Sequence, residues 1–402
     1  SEEDALSKVQ KYLHRQGIDW LSPIARKVER EGTPNRRNVV LVFMESMSAN
    51  LMGTFGSDKK LTPYLDSLYQ QSLSFSHFYS SGIHTNHGIY STLYSFPAIM
   101  KRNAMKGSVI PVYSGLPTVL QENGYCNLFF MTHESQYDNM NAFLRTNGFD
   151  EIYAQENYPS EKVVNSFGVQ DDFMYQYALP ILNERAGTGN PFFSVLLSIS
   201  NHPPYVIPPY FHPHSDVLEE QIVEYADWSI RQFMQAAEKQ PWFDNTIFVF
   251  LGDHGKMVGT PECEMPQSYN HIPLMIYGKD IKPGVYDGFG GQVDVSPTLL
   301  GLLNISYLQN NFGVNLLEEE RPCMFFTADN LIGARDSVNM FIYSPDSQQE
   351  FKYKLEEGKL HAATGTDEEA FRNLKDYCFS MLQSTESLVK EHKTLDKVSV
   401  KK

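Results

Sequence analysis

Thr246-Ile247-Phe248-Val249-Phe250-Leu251-Gly252-Asp253-His254-Gly255 is the stretch around which the rest of the chain is organised. Its first half, rich in β-branched and aromatic residues, reads as a buried strand, and Gly-Asp-His-Gly ends it abruptly. In open parallel sheets, ligands gather beyond the carboxyl ends of the strands, which is where Asp253 and His254 would stand. A carboxylate and an imidazole on a glycine-flanked turn can both reach one divalent cation, because glycine lets the backbone bend sharply. The plainer reading is a polar turn closing a strand, since turns favour Gly and Asp.

The same pattern recurs on either side. Asn38-Val39-Val40-Leu41-Val42-Phe43-Met44 is a continuous apolar run of the central-strand type and delivers Glu45. Leu73 to Tyr79 alternates like a strand and leads through Ser81-Gly82 to Thr85, just ahead of a helical segment ending before Pro97. A hydroxyl at a helix N-terminus is either an N-cap or a nucleophile, and the free N–H groups there favour an anion. Tyr125–Met131 delivers His133, and Pro191–Ile199 delivers His202. Helical patterns separate these runs at Leu61–Leu68, Leu116–Glu122, Tyr137–Arg145, Val169–Leu179, Glu219–Ala237 and Val293–Leu303.

Alternation of this kind from Asn38 to about Asn304 predicts an α/β fold with a doubly wound, mostly parallel sheet flanked by helices. From about Pro322 the texture shifts to short strands, with turns at Pro345-Asp346 and Glu357-Gly358, and a final helix from Asp367 to about Lys390. We expect three segments: an N-terminal helical arm over 1–35, a catalytic α/β domain over 36–320, and a smaller C-terminal α+β subdomain over 321–402. The last lysines read as a frayed tail.

The chain has 402 residues, 42% hydrophobic, enough for one large core and a satellite. A formal charge of -15 argues against nucleic acid as a partner. It leaves an anionic substrate open, because a metal supplies local positive charge whatever the net charge. Four cysteines, Cys126, Cys263, Cys323 and Cys378, show no metal-ligand spacing and read as idle thiols. No apolar run is long enough to cross a bilayer and no signal peptide is present. The sequence begins at Ser1 rather than methionine, so this says little about the complete gene product.

Glu45, Thr85, His133, His202 and Asp253-His254 all fall at strand ends, more polar groups than core packing asks for. One divalent cation held by Glu45, Asp253 and His254, with the Thr85 hydroxyl as a further ligand, accounts for four of them. Coordination would lower the hydroxyl's pKa and make it a nucleophile. The mixed oxygen and nitrogen set suits Mn²⁺, Zn²⁺ or Mg²⁺.

Strand–Glu45-Ser46, Ser81-Gly82…Thr85…Gly88, Ser200-Asn201-His202-Pro203 and Gly252-Asp253-His254-Gly255 together resemble the sulfatase-type branch of the alkaline phosphatase superfamily. Within it the likeness is to lipoteichoic acid synthases, phosphoglycerol transferases that act on lipid head groups. The resemblance spans roughly Asn38 to Asn304, and the C-terminal strands and helix match that family's small subdomain in order. It implies that Thr85 accepts a phosphoryl group as phosphothreonine, with Glu45, Asp253 and His254 as its companions on the metal. It further implies that His202 contacts the phosphate and serves the leaving or attacking oxygen, and that His133 contacts substrate.

Where such synthases carry an Asn-Arg pair for the head group, this chain has Asn139-Met140, which makes Asn139 the candidate contact. The Cys/Ser-x-Pro-x-Arg signature of formylglycine sulfatases is absent: Ser95-Phe96-Pro97-Ala98-Ile99 and the Cys263 segment both lack the arginine. His84, His87 and Asn270-His271 are extra polar groups that either build a second metal site or, the reading we prefer, support the first.

The function implied is a metal-dependent phosphoglycerol- or phosphoethanolamine-type transferase or phosphodiesterase. The alternatives are a sulfate or phosphate ester hydrolase using the same threonine and metal, and an idle binding domain. By resemblance the chain would be an extracytoplasmic domain tethered to a membrane upstream of Ser1, working at the membrane surface. Met44, Met47, Phe78 and Tyr205 either line a lipid approach or belong to the core. The sequence is silent on oligomeric state.

Overall fold

Eight strands form the central sheet of the computed structural model, which describes residues 1–363 and 368–398. Their order across the sheet is Gly284–Gly291, Leu73–Tyr79, Leu274–Tyr277, Thr246–Gly252, Asn38–Met44, Phe192–Leu197, Cys126–Phe130 and Glu151–Tyr153. The middle of the sheet is buried on both faces, so its strands are apolar at every position rather than at alternate ones. All seven residues of Asn38–Met44 and all seven of Thr246–Gly252 are buried.

The pleat sorts these residues onto two sides. Val39, Leu41, Phe43, Ile247, Val249 and Leu251 enter one core with Ile89, Leu93, Leu116, Phe143 and Leu299 from the helices Thr85–Tyr94, Leu116–Glu122, Met140–Thr146 and Val295–Leu302. Val40, Val42, Met44, Phe248 and Phe250 enter the other, with Leu65, Met174, Leu182, Ile222 and Phe233 from Pro63–Gln71, Asp171–Ala186 and Leu218–Ala237. Both faces are covered by helices, as a doubly wound sheet requires.

One strand runs against the rest: Leu274–Tyr277 pairs antiparallel with both Thr246–Gly252 and Leu73–Tyr79. A parallel return needs a crossover of a dozen or more residues, usually helical. The loop after Gly255 holds only the single turn Gln267–Asn270, so the chain re-enters the sheet from the end it just left. The edge strands Glu151–Tyr153 and Gly284–Gly291 carry no strong sequence signal, one being three residues long and the other glycine-rich.

The C-terminal strands Met324–Thr327, Ile332–Arg335, Asn339–Ser344, Gln349–Glu356 and Lys359–Ala362 form a separate antiparallel sheet in sequential order. Phe325, Ile332, Ala334 and Phe341 on one face join Phe371, Leu374, Tyr377 and Cys378 of the helix Glu369–Lys390 in a core continuous with the main one. The expected start of this helix at Asp367 and the lysines Lys401 and Lys402 lie outside the described residues.

Four details differ from the sequence reading. The N-terminal arm is helical only over Glu2–Tyr12; after Gly17 the chain turns, and Arg26–Val28 pairs antiparallel with Tyr307–Gln309. The helix expected from Tyr137 begins at Met140, because Asp138 and Asn139 take positive φ of 51° and 63°. The tail is not frayed up to Asp396: the Lys393 and Leu395 carbonyls accept from Asn310, and Thr394 bonds to the Val112 and Ser114 backbone. Met44, Met47 and Phe78 are core residues at 1%, 0% and 0% exposure, which leaves only the half-buried Tyr205 of the proposed lipid approach.

Candidate functional site

Because the strands that carry them run parallel, Glu45, Thr85, His133, His202 and Asp253-His254 all leave the sheet at one edge. Three of them are brought together around Thr85, whose Oγ1 lies 3.0 Å from Glu45 Oε2 and 2.7 Å from Asp253 Oδ2. His254 Nε2 sits 3.5 Å from Glu45 Oε1 and 3.5 Å from Asp253 Oδ2. Thr85 is the first residue of the helix Thr85–Tyr94, and no side chain caps that terminus. The N-cap position is taken by His84, so the N-cap alternative for Thr85 is set aside.

The surroundings hold these groups rigidly. Ser46 takes a left-handed φ of 52°, which turns its N–H onto Asp253 Oδ1 at 2.9 Å while its hydroxyl donates to Glu45 Oε1 at 3.0 Å. Backbone strain of this kind persists only where neighbours over-determine it. Gln292 is buried, takes the Ser81 N–H on Oε1 and donates through Nε2 to the carbonyls of Gly252 and Asp253. It thereby joins the strand that ends in Asp253 to the loop before Thr85. Gly88, one turn after Thr85, lies so close to Asp253 that an added Cβ would meet the Asp253 carbonyl oxygen at 2.2 Å.

Two buried carboxylates side by side need a positive neighbour. Burial works against charge on Glu45, but His254 beside it and the hydrogen bonds it receives bring its carboxyl down to about 2. Burial, then the adjacent Glu45 charge, push Asp253 well above the usual carboxylate range. Burial opposes the charge on His254, yet Asp253 and Glu45 hold it up at about 10. The cluster thus draws a cation of some kind.

The donor set fits a divalent ion. Thr85 Oγ1 is in contact with both carboxylates, as ligands gathered around one cation would be. His254 Nδ1 faces the Gly255 carbonyl at 2.6 Å, which leaves Nε2 directed at the carboxylates. The separations of 2.7–3.5 Å among these atoms approach those of ligands arranged around an ion at ~2.1 Å. Glu45, Asp253 and His254 are the only cluster of this kind among the described residues.

The remaining expected residues frame the site. His133 is buried, its Nδ1 engaged with the Glu134 carbonyl, and its Nε2 has no partner. Burial lowers its pKa, so the ring is neutral. His202 packs on Phe167 at 4.3 Å and turns Nδ1 to the Pro203 carbonyl. Asn139 donates one amide N–H to the Met105 carbonyl at 2.7 Å, which leaves its second N–H. The four extra groups are occupied as well. His84 meets Asp329, His87 the Arg102 carbonyl, Asn270 the Ser80 carbonyl and His271 the Ser76 carbonyl. All four cysteines are free.

Sequence reasoning missed Gln292 and Lys256 as contributors to the site, and named Ser46 and Gly88 only as motif positions, without the contacts they make. Of the two missed residues, Lys256 carried a signal, since it directly follows Gly-Asp-His-Gly. Its Nζ donates to Asn201 Oδ1 at 2.6 Å and lies 5.5 Å from the Tyr205 ring, with no ion-pair partner among the described residues. Burial pushes its pKa down to about 8.

A doubly wound sheet whose carboxyl edge sets a helix-terminal hydroxyl among two carboxylates and an imidazole places the chain in the alkaline phosphatase superfamily. A solved structure from that superfamily, from Vibrio parahaemolyticus, matches with a TM-score of 0.88 at 25% identity over 98% of this chain and 97% of that one. The sulfatase family model matches residues 37–305, and the chain belongs to that family. The lipoteichoic acid synthase LtaP from Listeria monocytogenes superposes with a TM-score of 0.76 at 22% identity, covering 96% of this chain and 98% of that one. In sequence, the lipoteichoic acid synthase-like YvgJ of Bacillus subtilis is 25% identical over 80% of this chain and 55% of its own length. The chain thus spans about half the length of the curated relatives it matches. Among the described residues no helix is long and apolar enough to cross a membrane.

Proposed function

We propose that this chain is a metal-dependent phosphotransferase or phosphodiesterase that takes the head group of a phospholipid through a phosphothreonine at Thr85. The observation that carries the reading is the Thr85 hydroxyl, 2.7 and 3.0 Å from two buried carboxylates at an uncapped helix N-terminus. The cation that Glu45, Asp253, His254 and Thr85 would hold supplies charge neutralisation and lowers the pKa of the bound hydroxyl.

The chain's own groups do the rest. Thr85 Oγ1 releases its proton to solvent and forms a bond to phosphorus as the P–O bond to the lipid alcohol breaks. The helix N-terminus faces the charge that gathers on the phosphoryl oxygens. His133, whose Nδ1–H is given to the Glu134 carbonyl, presents its buried, unpartnered Nε2 as an acceptor for a hydroxyl of the substrate. His202 serves the oxygen that leaves, and later the acceptor alcohol that attacks phosphorus and frees Thr85. Asn139, with one amide N–H still free of the Met105 carbonyl, remains the candidate head-group contact. In keeping with the lipoteichoic acid synthase-like relatives, we read the chain as an extracytoplasmic domain tethered to a membrane.

The test uses phosphatidylglycerol vesicles with Mn²⁺. Acid quenching and mass spectrometry should find a phosphoglycerol adduct on the Thr85 peptide, and Thr85→Ala should abolish both adduct and diacylglycerol release while still binding metal. Full turnover by Thr85→Ala would overturn the reading. A second reading, hydrolysis of sulfate or phosphate esters, is favoured by the family match and by the fold shared with a phosphonate monoester hydrolase, TM-score 0.65. It predicts product that goes only to water when an alcohol acceptor is added.

A further inference from the structure

Between Asp66 and Glu122 the chain has no acidic residue, although its net charge is -15. The cations in that interval, Lys101, Arg102 and Lys106, are gathered on one exposed loop. The same loop then presents Val109-Ile110-Pro111-Val112, with Val109 at 80%, Ile110 at 36% and Val112 at 46% exposure. Exposed apolar residues of this size, consecutive and beside basic ones, are costly to keep in water. They are the composition of segments that settle into the boundary between lipid head groups and acyl chains.

The loop is fastened to the rim of the site over its first half, residues 101–106, and its far end is held by Asn147 and Thr394 at the Pro111 and Val112 carbonyls. The Arg102 carbonyl meets His87, two residues after Thr85, and the Lys101 N–H donates to the Asp329 carbonyl, whose side chain meets His84. The Met105 carbonyl receives Asn139, and Lys106 pairs with Asp138 at 3.6 Å. Those two residues follow Tyr137, 42% exposed, whose ring packs on His133. The loop therefore borders the crevice on the side of the nucleophile.

We infer that the loop 101–112 is the surface through which this chain rests on a bilayer containing anionic phospholipid, with Lys101, Arg102 and Lys106 at the head groups and Val109, Ile110 and Val112 below them. The placement brings the mouth of the site to the plane in which lipid head groups lie. Each basic side chain near an anionic surface contributes roughly a fivefold gain in partitioning. This inference rests on the phospholipid reading of the site for its purpose, but vesicle binding is measured without turnover.

The experiment compares the full chain with the double variant Val109→Asp/Ile110→Asp and with Lys101→Glu. Sedimentation is done with vesicles of phosphatidylcholine mixed with phosphatidylglycerol, and with vesicles of phosphatidylcholine alone. All three residues being exposed, thermal midpoints should not move, and Val109→Ser/Ile110→Ser serves if the aspartates disturb folding. We expect binding only to the mixed vesicles, lost at least tenfold in the loop variants and weakened by salt. Diacylglycerol release should fall in step, while cleavage of the water-soluble bis(p-nitrophenyl) phosphate stays unchanged. Equal vesicle binding by the original chain and the variants would overturn the inference, as would parallel loss on lipid and soluble substrates. If vesicles are bound as expected but neither ester is cleaved, it is the catalytic reading that fails.

Discussion

Replacing Gly88 by alanine separates the architecture of the site from its stability. Glycine in the middle of a helix costs about 1 kcal/mol relative to alanine, so on helix propensity alone the change is favourable. An added Cβ, however, would stand 2.2 Å from the Asp253 carbonyl oxygen and 2.9 Å from its carbon, both backbone atoms with no rotamer to escape into. Ordinary contact begins near 3.4 Å, so the helix that starts at Thr85 must withdraw by about 1 Å. That displacement is enough to break the 2.7 Å contact between Thr85 Oγ1 and Asp253 Oδ2. Overpacking of this kind costs about 1–3 kcal/mol, partly offset by the helix term, so the variant should fold. A misplacement of ~1 Å at reacting groups costs on the order of 100-fold in rate. We expect Gly88→Ala to lose about that factor in turnover of bis(p-nitrophenyl) phosphate, with urea-unfolding stability lowered by less than about 2 kcal/mol. Undiminished turnover in a folded variant would show that the Thr85–Asp253 approach does not matter to the reaction.

Other outcomes can be read just as directly. A divalent cation at 100 times its Kd should stabilise the chain by about 2.7 kcal/mol, seen as a thermal midpoint that rises with Mn²⁺ and falls with chelator, and Asp253→Ala should remove the response. Lys256→Gln keeps a hydrogen bond to Asn201 but removes the charge, so the KM for an anionic diester should rise about tenfold with kcat less affected. Asp294 holds Arg321 by two hydrogen bonds of 2.7 and 2.8 Å in the core, and Asp294→Ala should cost about 3–5 kcal/mol in urea unfolding by leaving that guanidinium unpaired. Burial raises Asp227 to about 7 against the partial relief of the Leu65 and Tyr64 N–H groups. A raised carboxyl contributes stability at low pH that is lost as pH climbs from its ordinary range through about 7. The stability advantage of the native chain over Asp227→Asn should therefore shrink from pH ~4 to pH ~8.

The sheet and the cluster at its edge were legible because each rests on a local signal. Asn38–Met44 and Thr246–Gly252 are apolar at every position, and in parallel strands Glu45 and Asp253 then must emerge side by side. What the sequence concealed depends on contacts between distant segments. Nothing in Gly290-Gly291-Gln292-Val293 announces that Gln292 will bridge Ser81 to Asp253, and helix periodicity around Gly88 gives no hint of the backbone it approaches. Positive φ at Asp138 and Asn139 shortened an otherwise regular helix, because short polar side chains tolerate that region. The antiparallel Leu274–Tyr277 strand is a matter of loop path rather than of composition.

The two ends of the chain meet. Lys8 and Tyr12 of the first helix bond to Asp376 of the last at 2.6 and 2.9 Å, and Arg26–Val28 is zipped to Tyr307–Gln309. During synthesis, residues 2–12 and 26–28 therefore have no seat until Tyr307–Gln309 and Asp376, about 280 and about 360 residues downstream, have been made.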